Sequence, residues 1–476
     1  MPELDENRPG VQDSLQQVTD LLRRHRHNLL QRHEPPRPQQ VEEMLHKQDL
    51  ASLRQKLDQL HPADVAYILE ALPLDERLVV WGMVKAERDG EILLEVSDAV
   101  RETLIAHMDE QELVAATEKL DTDEIADLAP DLPREVMQDV FRSLSVEERE
   151  QLRAAMSYPE DAVGALMDFD MITVRDDVTV EVVLRYLRRL DDMPDHTDQL
   201  FVVDRKEHLR GLLPISRLLV TDPETMVASV TVQEFIKFRP DEKAQDAALA
   251  FERYDLVSAP VVDDNGRLVG RVTVNVVVDF IREETDSDML SAGGLREEED
   301  LFASVWSSVK NRCTWIAVNL VTAFIASRVI GVFEGSIEKI VALAALMPII
   351  AGIGGNSGNQ TITMIVRALA LGQITVSSAR KLFAKEIGVS FINGLIWGGV
   401  VGLFAFLIYH RWQLGLVMTA AMVLNLLLAA LMGVSIPLMM QKLGRDPAVG
   451  SSVMITAITD SGGFFIFLGL ATIFLV

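Results

Sequence analysis

The chain has 476 residues, 49% of them apolar, with 45 Lys and Arg against 71 Asp and Glu and a formal charge of −26. The charge is unevenly placed: residues 1–300 carry −32, whereas residues 301–476 carry +6. So acidic a soluble region excludes duplex nucleic acid as a partner, because that affinity rests on neutralising phosphates with Lys and Arg, and a single cysteine, Cys313, excludes a disulfide scaffold or a thiolate metal cluster.

Residues 1–40 are polar and end in the helix-breaking run His33-Glu34-Pro35-Pro36-Arg37-Pro38, which predicts a flexible tail with at most a short helix around Leu15–Leu30. No charged-then-apolar leader opens the chain, so residues 1–300 are expected in the cytoplasm. Over 41–158 the pattern predicts helices of roughly 10–14 residues with short punctuation. LHPADVAYILEALP (Leu60–Pro73) echoes LDTDEIADLAPDLP (Leu120–Pro133), the mark of helical hairpins stacked into a superhelix.

The periodicity then changes. Phe201-Val202-Val203-Asp204 and Pro260-Val261-Val262-Asp263 are apolar runs closed by an acid, each followed seven residues later by glycine, Gly211 and Gly270. Helical patterns precede them at Val178–Leu190 and Ala244–Tyr254. Two α+β repeats are expected, 159–222 and 223–280, with a hairpin turn at Asp264-Asn265-Gly266. An acidic helical connector over 281–308 leads to an all-α region, 309–476.

Five apolar stretches follow, at about 313–333, 340–369, 386–409, 414–439 and 447–476. Each is long enough to cross about 30 Å of hydrocarbon at about 1.5 Å per residue. Loops at 310–312, 367–385 and 442–445 hold eight of the 11 basic residues. The positive-inside rule therefore places the N-terminus in the cytoplasm and the C-terminus outside.

Two features exceed what spanning a bilayer requires. Gly352 to Gln360 combines Gly354, Gly355 and Gly358 with the amides Asn356, Asn359 and Gln360. Closely spaced glycines weaken a helix and free carbonyls toward a water-filled path; a small-residue packing face is the other reading. The second feature is Asp460, beside Thr459, which reads as the sole acid well inside a span. A lone carboxylate there costs about 2.5–3.5 kcal/mol or more, so a mobile cation is its expected partner. Asp446, at the start of the last span, is read as either a helix N-terminal acid or a pore-mouth group. The absence of His and Cys near Asp460 argues against zinc, copper or iron, and one carboxylate plus amides suits hydrated Mg²⁺. No GxxxxGK[ST] loop occurs, so the membrane potential is the expected driving force. An antiporter, an exporter or a gated anion channel are the competing transport readings.

GGNSGNQ (Gly354–Gln360), TDSGGFF (Thr459–Phe465), YPEDAVGALM (Tyr158–Met167) and the tandem repeats, which resemble CBS domains, together resemble the MgtE family of bacterial magnesium channels and transporters. The resemblance implies a multi-domain membrane homodimer, not an enzyme: an α-superhelical N domain, tandem CBS domains, a connecting plug helix and a five-span pore in the bacterial inner membrane. It assigns ion selection to Asp460. It also implies that cytosolic Mg²⁺ closes the pore from between N domain, CBS pair and connector, where Asp279, Glu284 and Asp288 are the matching connector acids. Asp123 and Asp127, one helical face at i,i+4, are the expected N-domain partners. The acid that nucleotide-binding CBS modules carry after a Ser or Thr is replaced by Arg217 and Val276, which argues against adenylate regulation.

Overall fold

The computed structural model describes residues 10–30, 51–190, 192–293, 295, 300–371, 373–374, 376–445, 447 and 450–476. They form two compact units, 10–283 with 300–303, and 284–295 with 304–476.

The first unit opens with a correction. The expected tail contains a 20-residue helix, α1 (Val11–Leu30). Its Val18 and Leu22 are buried in the same core as Leu53 and Leu57 of α2 (described over 51–57). A pattern of few apolar residues at helical spacing was enough to dock it.

Eight further helices follow: α3 (Pro62–Glu70), α4 (Leu74–Trp81), α5 (Asp89–Glu95), α6 (Asp98–Ile105), α7 (Glu110–Thr117), α8 (Thr122–Leu128), α9 (Arg134–Ser143) and α10 (Val146–Ala155). They are 7–10 residues long, shorter than the periodicity predicts. Four of the eight helix starts carry a side-chain cap. His61 caps α3 with Pro62 at its first turn, and Asp109, Asp121 and Ser145 form capping boxes with Glu112, Glu124 and Glu148. These caps satisfy helix-terminal N–H groups, and the apolar faces of the helices build one core around Ile68, Leu93, Leu104 and Leu128.

Arg77 of α4 is completely buried in this unit. It donates to the carbonyls of Leu69 and Leu72 and makes a two-point ion pair with Asp300, at 2.6 and 3.0 Å. Burial opposes ionisation of Asp300, but hydrogen bonds from Arg77 and from the Phe302 N–H hold its carboxyl below the usual range. Removing one partner of such a pair leaves the other charge buried and alone. Asp300→Ala is therefore expected to destabilise this unit by about 3–5 kcal/mol. Denaturant midpoints of wild type and variant measure it, and midpoints that coincide would show the pair to be dispensable.

The repeats follow. β1 (Thr173–Arg175) runs parallel to β2 (Gln199–Val203), which pairs antiparallel with β3 (Leu209–Pro214). α11 (Val180–Leu187) packs over this sheet, and α12 (Ile215–Val220) and α13 (Val227–Val230) complete the repeat. In the second repeat α14 (Ala244–Tyr254) precedes the hairpin β4 (Ser258–Val262)–β5 (Leu268–Thr273). The acid closing each apolar run is a turn residue: Asp204 accepts from the Lys206 and His208 N–H groups, Asp263 from those of Asn265 and Arg267. Gly266 takes φ of 79° in that second turn. α15 (Val274–Ala292) runs without a break from the end of β5 into the connector, across the expected boundary at 280/281.

The second unit is helical: α16 (Val305–Val332), α17 (Glu334–Lys339), α18 (Ala342–Ala370), α19 (Val376–Tyr409), α20 (Trp412–Lys442) and α21 (Ser451–Leu475). Among the described residues four of these, α16, α19, α20 and α21, are long and apolar enough to cross a membrane. α18 has 29 residues, but its glycine and amide run dilutes its hydropathy. α20 is the central helix, with Met418, Ala421, Asn425, Ala429 and Val434 buried against its neighbours.

Candidate functional site

α21 presents one side chain per turn to the bundle: Ser451, Ile455, Thr459, Gly463, Phe467 and Ala471 are all buried. Asp460 lies about 100° around the helix from that stripe. Its carboxylate is half-buried and opens into a cavity of about 580 Å³. Ser452, Thr456 and Asp460 line the cavity from α21, and Arg312, Trp315, Asn319 and Thr322 line it from α16. Among the described residues Asp460 has no hydrogen-bond or ion-pair partner. The wall is mixed: the Asp460 carboxylate shares it with hydroxyls, the Asn319 amide and the Arg312 guanidinium, alongside Trp315, Ile316 and Val453.

The α18 amides are placed differently from expectation. Gly352 to Gln360 is continuous helix, so its carbonyls are engaged in the helix and do not line an opened strand of backbone. Gly354, Gly355 and Gly358 face inward and are buried, each against a side chain of a neighbouring helix: Asn425, Thr459 and Ile455. That is the packing use of glycine. Asn356 and Gln360 share the opposite, exposed face at i,i+4, and neither they nor Asn359 line the Asp460 cavity. Asn359 keeps its Oδ1 buried with no partner among the described residues. Gly355 and Thr459 are the point at which α18 and α21 meet: a Cβ on Gly355 would lie 3.8 Å from Thr459 Oγ1. Asp446 lies outside the described residues.

Asp460 is not the sole buried acid in this unit. Glu386 is 3% exposed within α19, accepts from the Thr361 hydroxyl at 3.4 Å and lies 3.6 Å from Lys385 Nζ. The expected third stretch begins at 386, whereas α19 begins ten residues earlier, which carries Glu386 into the helix body.

In the first unit Asp123 and Asp127 sit on α8 amid further acids. Burial, then the charges of Asp168, Glu124 and Asp121, pushes Asp123 up to about 8. Asp127 reaches solvent but is crowded by protein on most sides. That burial, with Glu283, Glu124 and Asp98 nearby and Arg101 opposing, lifts it to about 7. Burial also raises Asp279 and Glu283, the latter helped by Asp98. Asp127 is thus matched with Glu283 of α15, not with one of the three expected connector acids. Glu283 stands one turn after Asp279, a spacing visible in the sequence. Asp168 is the other residue missed; it opposes Asp123 while paired with buried Arg271 at 2.7 Å. Glu284 and Asp288 lie on the second-unit part of α15 and have interactions of their own. Among the described residues no three His, Cys, Asp or Glu side chains converge on one bare ion.

These carboxyls hold protons more tightly folded than unfolded, so the unfolded chain binds fewer protons and stability falls as pH rises from about 5 to about 8. A divalent cation that neutralises the cluster opposes that loss. In chelator the melting temperature of the protein is expected to fall over this range, and millimolar Mg²⁺ is expected to raise it more at pH 8 than at pH 5. A melting temperature that climbs with pH in chelator would contradict this reading of the cluster.

Comparison with known proteins covers most of the chain. A family model described as a divalent cation transporter, MgtE, matches residues 347–470. The MgtE intracellular N domain matches 60–161, and the CBS domain matches 163–222 and 227–283. A magnesium transporter MgtE of Thermus thermophilus is 30% identical over 443 residues, 91% of this chain and 98% of that protein. Another from Bacillus subtilis is 24% identical over 426 residues, 90% of this chain and 94% of its own length. A crystal structure of the cytosolic domain of the Mg²⁺ channel MgtE in complex with ATP matches with a TM-score of 0.45 at 32% identity, over 50% of this chain and 98% of that one.

Proposed function

The chain belongs to the MgtE family, and we propose that it is a Mg²⁺-selective uptake channel of the bacterial inner membrane, driven by the membrane potential and closed by intracellular Mg²⁺. The observation that carries this reading is the Asp460 carboxylate, which opens into the cavity with no partner among the described residues. Mg²⁺ dehydrates reluctantly and is held by one or two carboxylates through its own waters. A cavity of about 580 Å³ has room for the hydrated ion.

Two copies sharing an axis would set two Asp460 carboxylates around one divalent ion. They would also bring together the exposed Asn356 and Gln360 faces, which a single chain leaves open. In this reading five helices span the bilayer, α18 among them, with the acidic first unit in the cytoplasm. An inside-negative potential supplies about 2.3 kcal/mol per charge per 100 mV, and twice that for a divalent ion.

Closure belongs to the acids. Asp123, Asp127, Asp279 and Glu283 of the first unit concentrate negative charge that hydrated Mg²⁺ would neutralise, and Glu284 and Asp288 continue the acidic run of α15. Such a ligand biases a two-state element through its differential affinity.

Reconstitution into liposomes tests the transport step. Mg²⁺ uptake is expected under an imposed inside-negative voltage with no Na⁺ or pH gradient. Uptake that appears only with one of those gradients would identify an antiporter instead.

A further inference from the structure

Asn425, in the middle of α20, is 0% exposed and lies where α18, α20 and α21 meet. A buried amide in an apolar helix bundle is costly, and a leucine of similar size would fill the same space without that cost. Two observations give Asn425 a specific task. Its Nδ2 donates to the Ile350 carbonyl of α18 at 3.0 Å, while its Oδ1 has no partner among the described residues. It is also enclosed by two glycines from opposite sides. A Cβ on Gly354 of α18 would run into its Nδ2, and a Cβ on Gly463 of α21 would stand 2.7 Å from Nδ2 and 3.0 Å from Oδ1.

Those two glycines belong to the two runs that carry the proposed ion path, GGNSGNQ and TDSGGFF. Gly463 is three residues beyond Asp460, and Gly354 two residues before Asn356. The amide therefore keys both runs to one central helix. We propose that Asn425 is a positioning residue for ion selection: it fixes the register of α21 against α18, and with it the place of Asp460. This inference rests on the proposed role of Asp460.

The test uses the full-length chain with Cys313→Ser, which removes the exposed native thiol. Cysteines at Gly355 and Thr459 report the α18–α21 contact by disulfide formation, with no reference to transport. Asn425→Leu is expected to slow that cross-link and to lower Mg²⁺-over-Mn²⁺ discrimination in liposome flux, each by about tenfold or more. Assembly in detergent should be unchanged. If Asn425→Leu does not assemble, the pair Gly354→Ala with Asn425→Ala replaces it: the small side chains accommodate each other so that assembly returns, while the cross-link should stay slow and discrimination low. An unchanged cross-linking rate, or an unchanged discrimination ratio, overturns the proposal. Asp460→Asn run in parallel separates the two readings, since discrimination retained in that variant removes the role of Asp460 whatever Asn425 does.

Discussion

Asp460→Ala is expected to abolish voltage-driven Mg²⁺ flux in liposomes while leaving expression, assembly and helix content as in wild type. The reasoning is electrostatic. The carboxylate has no basic partner among the described residues, so removing it strands no opposite charge. At about 4 Å and an effective dielectric of about 20, one carboxylate attracts a divalent ion by about 8 kcal/mol, much of it spent in disturbing the hydration shells. Losing even a third of that lowers occupancy roughly a hundredfold. Asp460→Asn keeps the size and loses the charge, so it should behave like the alanine variant. Asp460→Glu keeps the charge and moves it by about one bond, so it should retain flux with altered ion preference. Flux within about twofold of wild type in the asparagine variant would show that the cavity conducts without this charge.

The parts legible in the sequence were those written in a single local period. Short continuous apolar runs closed by Asp204 and Asp263 marked strands and turns, because the acid itself accepts the turn's N–H groups. Long apolar stretches gave helices, since a 25- to 34-residue run of such composition has few other ways to satisfy its backbone. What escaped was set by partners remote in sequence. α1 helps build the core with Val18 and Leu22 against α2, a contact no local pattern announces. The glycines of α18 looked like helix weakeners, yet Gly354 and Gly358 are places where α20 and α21 press in, and the helix continues through them. Glu386 lies at the expected start of the third apolar stretch, but α19 begins ten residues earlier, and the burial of Asn425 depends on α18 and α21 packing around it. In the first unit the i,i+4 spacing of Asp123 and Asp127 was visible, but the identity of Glu283 and Asp168 as their neighbours depends on how the α8 helix meets the second repeat and α15.

Neutralising the α15 and α8 acids should produce the second large effect, a channel that stays open at cytosolic Mg²⁺ levels that close the wild type. The Asp279→Asn, Glu284→Gln, Asp288→Asn triple variant removes three negative charges from α15, and Asp127→Asn with Glu283→Gln removes two acids whose charges act on each other across α8 and α15. Both changes relieve repulsion in the metal-free state and delete the groups that would gain from the ion, so the closed state loses its ligand dependence. A coupling of about 1–3 kcal/mol, typical of such switches, corresponds to about a 5- to 150-fold shift in the half-closing Mg²⁺ concentration. The two variants distinguish the parts of the cluster. If Asp127 and Glu283 act together, the double variant should shift closure nearly as far as the triple, and adding either single change to its partner's variant should give less than additive effects. Protease cleavage within residues 51–283 supplies a second readout that does not pass through the pore. Mg²⁺ should slow it in the wild type by drawing the acidic surfaces together, and should have little influence in the variants. Closure at the same Mg²⁺ concentration in all three proteins, with equal protection, would move the sensor away from these acids, whereas lost protection with normal closure would separate docking of the cluster from the gate.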